Sequence, residues 1–304
     1  MRLRIAENFE ALFYAPLYAL QAGGFAQQEN LTIDWLPPGS PGGAIDAVRA
    51  GEVDLTWGGP MRVLRDRDRL PDDDACLICV GEVVRRDPFL LMMRAENAAR
   101  RGTQISMPGL AALRLSVVSE VPTPWLCLQQ DLRDAGIDPA DMVAGGRVAR
   151  GLSMTDQIDA LHGGAVDVIQ LFEPHVSQLE RDGFASVVYA ASTRGACCYT
   201  TFITARRTLA RHRQPVAALQ RALGRAQQWI ATEGPDALAQ CIAPRFPGVS
   251  LDVLRAAASR YVSSGVWSTS PQVSRQGVDR LRESLLAGGF VQQAAAFDSI
   301  VASL

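Results

Sequence analysis

Apolar positions along this chain keep two rhythms. Short runs that alternate or stay apolar read as strands, and runs with apolar residues three or four apart read as helices. Leu3 to Phe9 is strand-like, Pro16 to Ala22 is helical with Gly23-Gly24 as its stop, and Leu31 to Leu36 alternates as a strand. Ser40 and Pro41 predict a cap and first position for a helix running to Ala50. A strand over Val53 to Trp57, a polar-faced helix over Pro60 to Arg69, and strands over Ala75 to Val84 and Pro88 to Arg94 follow. The pattern then restarts: strand Leu113 to Val118, helix Thr123 to Asp134, a helix capped by Ser153 with Asp156 three residues on, and strand Val166 to Phe172. Val187 to Ala190 and Thr200 to Thr204 read as further strands. Beyond Arg206 the rhythm is helical, over Pro215 to Glu233, Asp236 to Ala243, Leu251 to Ser263 and Ser274 to Ala287.

The restart is also a repeat. Ile45-Asp46-Ala47-Val48-Arg49-Ala50-Gly51-Glu52-Val53-Asp54-Leu55 is echoed 113 residues later by Ile158-Asp159-Ala160-Leu161-His162-Gly163-Gly164-Ala165-Val166-Asp167-Val168. Each copy reads as a helix end, a glycine stop and a strand opening on Val-Asp, and a repeat with matching turn chemistry signals a repeated unit. Strand–helix alternation predicts right-handed crossovers and a largely parallel sheet in each unit. The fold class expected is therefore α/β, with two similar three-layer lobes. The first comprises residues 1–88 and 202–304 with the C-terminal helices, and the second residues 89–201. Arg85-Arg86-Asp87-Pro88 and roughly Gly195 to Thr201 form a two-segment hinge, where Arg85 and Asp87 serve as ion-pairing residues.

Open parallel sheets bind ligands beyond the carboxyl ends of their strands, which selects five loops. They carry Asn8, Phe13 and Tyr14; Trp57, Gly58 and Gly59; Ser119 to Trp125; Gly151 to Met154, with Ser153; and Phe172 to His175. Trp57 could stack on a flat ligand beside backbone free of side chains, or simply be core at a strand end; Tyr14 and Trp125 share that ambiguity. Ser119 and Thr123 stand at a helix start that favours anions, or Thr123 only caps its own helix. Glu173, between an apolar strand and Pro174, could accept from a ligand N–H or be a surface carboxylate.

Composition narrows the functions. The net charge of -2 and the absence of a basic stripe argue against nucleic acid, and no apolar run is long enough to insert in a membrane. All 30 basic residues are Arg, which excludes Lys-based Schiff-base chemistry. Six Cys show no zinc pattern and read as buried thiols, and of three His only His175 falls near the proposed cleft. No cofactor and no catalytic constellation is expected. The strand pattern at Leu3 leaves no recognisable leader, which keeps a cytoplasmic location open.

Tyr14-Ala15-Pro16-Leu17-Tyr18-Ala19 followed by Gly24-Phe25, Gly51-Glu52-Val53-Asp54, Phe172-Glu173-Pro174, Gly265-Val266-Trp267 and Gly289-Phe290 occur in an order that resembles the NMT1/THI5-like family. The resemblance implies a type II periplasmic binding-protein fold and a solute-binding component of an ABC importer, periplasmic, partnered by a permease and ATPase. It implies a small anionic or heteroaromatic ligand of sulfonate, aromatic-acid or pyrimidine type, and makes Tyr14, Trp57, Ser119, Thr123 and Glu173 pocket candidates. The family also contains cytosolic pyrimidine synthases with a Cys-rich motif, to which Cys197-Cys198-Tyr199 is similar. A cytosolic enzyme on the same fold, using His175 or Glu173, is the alternative function, and a stand-alone sensor module a third.

Overall fold

The structure is a computed structural model that describes residues 1–304 other than Pro38, Ser40, Pro41, Thr103 and Glu120. Its strands are β1 (Arg2–Ala6), β2 (Thr32–Leu36), β3 (Leu55–Gly58), β4 (Leu77–Val84), β5 (Leu90–Arg94), β6 (Leu115–Ser116), β7 (Val148–Ala149), β8 (Val168–Leu171), β9 (Ala185–Ala190) and β10 (Thr200–Ala205). They form two five-stranded sheets, ordered β2-β1-β3-β10-β4 and β7-β6-β8-β5-β9. The two orders are the same order with the lobes exchanged. In each sheet the strand that has just arrived from the other lobe, β10 or β5, lies antiparallel between its neighbours. The remaining pairings, β1 with β2 and β3, and β6 with β7 and β8, are parallel. The sheets are thus mixed: a strand entering from a neighbouring lobe comes in at the end opposite to a crossover helix.

The 113-residue repeat has a physical cause. Gly51 and Gly164 adopt φ of 83° and 71°, left-handed values that a side chain would strain. Past each glycine the chain closes identically: Glu52 N–H donates to Ala47 O, and Ala165 N–H to Ala160 O. The Asp of each Val-Asp pair reaches sideways to the first strand of its sheet. Asp54 accepts from Arg4 N at 2.7 Å, and Asp167 accepts from Arg114 N at 2.9 Å and pairs with its guanidinium at 2.8 Å. The repeated carboxylate pins β3 to β1 and β8 to β6, which is scaffold.

Several elements depart from the sequence expectation. The helix ending at Ala50 spans Gly43–Ala50 and starts from Gly42 at φ 84°; the Ser40 cap and Pro41 lie outside the described residues. Helices Ala95–Arg101, Met107–Ala111, Pro139–Ala144 and His175–Arg181 were not expected; each is under eight residues, too short to display a helical period. The two helices anticipated either side of Gly234 join as Arg213–Ile242, kinked where Gly234 takes φ 79° before Pro235.

The C-terminal helices were expected on the first lobe. Arg213–Ile242 does pack there, against the helix Ala15–Ala22 and β4. Leu251–Ser263 and Arg275–Ala287, however, also grip the second lobe: Arg260 binds Glu173 and Glu180, and Arg280 binds Asp134 at 2.5 Å. The crossings run side by side, with Cys197 N–H donating to Arg85 O and Tyr199 N–H to Val84 O. Between them Arg194 is sealed against Asp87 and Asp131, with side-chain exposures of 3%, 0% and 8%. Arg85 instead pairs with Glu82 at 2.7 Å.

Candidate functional site

The carboxyl ends of the parallel strands face one another across a cleft of about 450 Å³. From the first lobe come Glu7 to Glu10 after β1, Gly39, Gly42 and Ala44 after β2, and Arg62 after β3. From the second come Val118 and Val121 after β6, Met154 after β7 and Phe172 after β8, and Phe89 enters from the first crossing. Beneath it lies a recess of about 40 Å³ that shares Asn8, Phe9, Arg62, Phe89 and Val121 and adds Phe13, Tyr14, Gly59, Met61, Thr123, Tyr199 and Thr200.

An aromatic cluster forms the floor. Phe13 and Phe89 meet Phe172 edge-on at 5.2 and 5.3 Å between ring centroids, and Phe89 lies 6.0 Å from Tyr199. These rings come from the first lobe, both crossings and the second lobe, so the floor spans the hinge.

Charge at the cleft is sparse. Glu7 is held by Arg245 at 2.9 Å and Gln21 at 2.9 Å. Burial pushes its carboxyl up, but these hydrogen bonds outweigh burial and hold it below the usual carboxylate range. Arg62, in the first turn of the helix Met61–Arg69, meets no carboxylate at ion-pair distance among the described residues. Burial lowers its pKa from the ordinary guanidinium value, yet it stays charged. A half-buried cation facing an open cleft calls for an anion, because a charge taken from water is stabilised by a partner. Burial raises the Tyr14 and Tyr199 phenols, which therefore remain protonated donors.

The residues proposed from sequence fall into three groups. Asn8 and Phe172 line the cleft, and Tyr14, Gly59 and Thr123 line the recess. Gly58 and Trp57 lie just behind. A Cβ on Gly58 would stand 3.6 Å from the Arg62 side chain, an ordinary van der Waals contact, so Gly58 lies directly against that side chain. The Trp57 ring is 1% exposed and packs edge-on against Tyr14 at 5.9 Å and Trp35 at 6.2 Å. It supports the site from beneath and offers no face to the cleft. Its carbonyl accepts from Asn8 Nδ2 at 3.1 Å.

The third group lies elsewhere. Trp125 is core in the second lobe and, with Ser119, borders a separate cavity against Gly288 to Phe290. Ser119 Oγ accepts from Gly151 N at 2.7 Å, tying two loops together. Ser153 is occupied by its capping box with Asp156. Glu173, expected as an acceptor at the cleft, is fully buried and lines neither the cleft nor the recess. Its carboxylate takes Ser177 N at 2.9 Å, Ser177 Oγ at 2.8 Å and Arg260 Nε at 2.7 Å, so no lone pair is left facing solvent. His175 opens the helix His175–Arg181 and borders neither the cleft nor the recess.

Sequence reasoning missed Arg62, Phe9, Phe89 and Tyr199. Arg62 did carry a signal: a cation in a first helical turn opposes the macrodipole, so its presence there needs another reason. Phe89 falls in the strand expected over Pro88 to Arg94, and Tyr199 in the second crossing, read as hinge; neither was expected to line the site.

The pattern of the family described as NMT1/THI5 like matches residues 13–237. YtlA of Bacillus subtilis (strain 168), named as a binding protein, is 20% identical over 301 residues, covering 99% of this chain and 87% of YtlA. The periplasmic aliphatic sulphonate binding protein SsuA from Escherichia coli has a TM-score of 0.75 at 14% identity, over 98% of this chain and 96% of SsuA. The desulfurization enzyme DSZB has a TM-score of 0.68 at 16% identity, over 99% of this chain and 96% of DSZB. One fold therefore serves both solute binders and an enzyme, the periplasmic binding-protein fold expected from the sequence. With its matched segment running from the first-lobe loops to the long C-terminal helix, the chain belongs to the NMT1/THI5-like family.

Proposed function

We propose that this protein captures a small anionic solute in the interlobe cleft and delivers it to the permease and ATPase of an ABC importer, working in the periplasm. The observation that carries the reading is the cleft itself: every wall loop is a carboxyl-end loop of one lobe or the other, and Arg62 faces it without a carboxylate partner among the described residues. Solute bound there touches both lobes at once, so binding energy favours closure about the paired crossings. YtlA and SsuA support this reading by what they are named to do. The enzyme reading suggested by DSZB is the second choice, because the described residues lining cleft and recess include neither Cys nor His.

The test is thermal unfolding and small-angle scattering against a panel of sulfonates, aromatic acids and pyrimidines. A binder at one hundred times its Kd stabilises the folded chain by about 2.7 kcal/mol, a readily measured rise in Tm, with a smaller radius of gyration. A panel that produces neither effect refutes solute capture, and turnover of any member with retained structure would favour the enzyme.

A further inference from the structure

Tyr199 holds a polar atom that the fold does not use. Its side chain is 6% exposed, and its hydroxyl has no hydrogen-bond partner among the described residues. It borders the recess below the cleft, beside Arg62, Thr123 and Thr200. A buried hydroxyl without a partner costs stability, and one that borders a cavity can be completed by a ligand there. Thr123, which also borders the recess, begins a helix of 12 residues whose second residue, Pro124, has no N–H to offer a ligand. The recess, at about 40 Å³, holds about three water-sized groups, taking 10–15 Å³ for each. That is the size of the oxygens of a carboxylate or a sulfonate.

Above the recess the surroundings change. The cleft that continues from it is walled by Phe9, Phe89, Phe172, Val118, Val121 and Met154. Its other ionisable groups are Glu7, already neutralised by Arg245, and Glu10 at the rim. One unpaired cation therefore stands against one unpaired carboxylate among the described lining residues, and a second negative charge on the ligand would find no second cation.

Resting on the solute-capture reading, we infer that the recess is a head-group site for a monoanionic arene acid, a sulfonate or carboxylate whose oxygens take Arg62 and the Tyr199 hydroxyl while its ring lies among Phe9, Phe89 and Phe172. Tyr199 and Arg62 are the residues that set specificity. The hydroxyl supplies a directional donor from the second crossing, and the guanidinium supplies the charge from the first lobe. Filling the recess therefore links the hinge to the first-lobe wall.

The experiment is titration calorimetry of the full chain at pH 7.5 with benzenesulfonate, phenyl phosphate and benzamide. Benzenesulfonate is expected to bind at least tenfold more tightly than the dianionic phenyl phosphate and than neutral benzamide. Tyr199→Phe should weaken benzenesulfonate at least fivefold, while the Tm of the unliganded protein stays level or rises, because the orphaned hydroxyl is gone. Arg62→Gln should weaken it at least tenfold and reduce the preference over benzamide. Retained affinity in both variants overturns the assignment, as does phenyl phosphate binding as tightly as benzenesulfonate. If no aryl acid binds at 5 mM but a pyrimidine or an aliphatic solute still compacts the protein, the head-group assignment falls and solute capture stands. If nothing compacts it, both fall.

Discussion

Replacing Arg194 with Met tests the hinge directly. The guanidinium joins Asp87 on the first crossing to Asp131 on the helix Thr123–Asp134, and all three side chains are sealed from water. Without it, Asp131 keeps Tyr189 Oη at 2.7 Å and Arg280 at 3.5 Å, but among the described residues Asp87 keeps only Phe89 N at 2.9 Å. Stranding a buried charge in this way costs about 3–5 kcal/mol. For 304 residues unfolding as one unit, at about 2.1 cal/mol/K per residue, the unfolding entropy is about 640 cal/mol/K, so Tm should fall by about 5–8 °C. The loss should also depend on pH. Burial already raises the Asp87 carboxyl above its ordinary value, and removal of Arg194 raises it further. A carboxyl whose folded pKa lies above its unfolded value binds its proton more tightly when folded. The penalty is therefore absent below about pH 4, grows through the interval between the two pKa values, and is complete above the folded one. Urea midpoints of wild type and Arg194→Met at pH 7 and pH 5 measure this. The deficit should shrink at pH 5, and Arg194→Met/Asp87→Asn should recover part of it at pH 7. A deficit under 1 kcal/mol at pH 7, or one that does not change with pH, refutes the claim that Asp87 is left as an uncompensated buried charge.

Other substitutions separate scaffold from site. Glu173→Gln retains a hydrogen bond to Ser177 but gives up the charge pairing with Arg260, and should cost about 1–3 kcal/mol in chemical denaturation. Solute affinity should change less than twofold; a tenfold loss of affinity at unchanged stability would place the carboxylate at the ligand after all. Asp167 is held below the usual carboxylate range by hydrogen bonding from Arg114. Its contribution is therefore present above about pH 4 and is lost as pH falls through the depressed folded value. Because the pair is partly exposed, Asp167→Asn should cost under about 1 kcal/mol at pH 7, with melting curves converging on wild type near pH 3. Gly277→Ala would set a Cβ 2.8 Å from the backbone nitrogen of Cys198, forcing the helix Arg275–Ala287 off the second crossing at about 1–3 kcal/mol; a Tm within 1 °C of wild type would show that the contact yields freely.

What could be read from the sequence was whatever is decided within a few residues. The glycine stop and Val-Asp strand opening repeat because each copy solves the same local problem, leaving a helix and pinning the next strand through Asp54 or Asp167. The lobes, their sheets and the placing of Asn8 and Phe172 at the cleft follow from strand–helix alternation and the carboxyl-end rule. What failed depended on partners far along the chain. Glu173 looks free beside Pro174, and only the arrival of Arg260, 87 residues later, occupies it. Trp57 looks like a platform until Tyr14 and Trp35 enclose its ring.

Arg62 failed for the opposite reason. The helix Met61–Arg69 is rich in charge and reads from the sequence as polar-faced, with its Arg65-Asp66-Arg67-Asp68-Arg69 run as a solvated face. Asp68 does answer that description, with its partners Gln292 N and Gln293 N at the surface. Arg62 differs only in standing on the first turn, just past β3, where the chain emerges at the cleft. The repeat again explains the asymmetry. The copies share geometry up to the strand end and diverge in the next few residues, where one lobe sends Arg62 past Gly58 to the cleft and the other buries Glu173 against Ser177 and Arg260. The two carboxyl ends therefore contribute unequally: the first lobe carries the charge, the second lobe and the crossings carry most of the apolar wall. A cleft so divided recognises a ligand that is itself divided, charged at one end and apolar at the other.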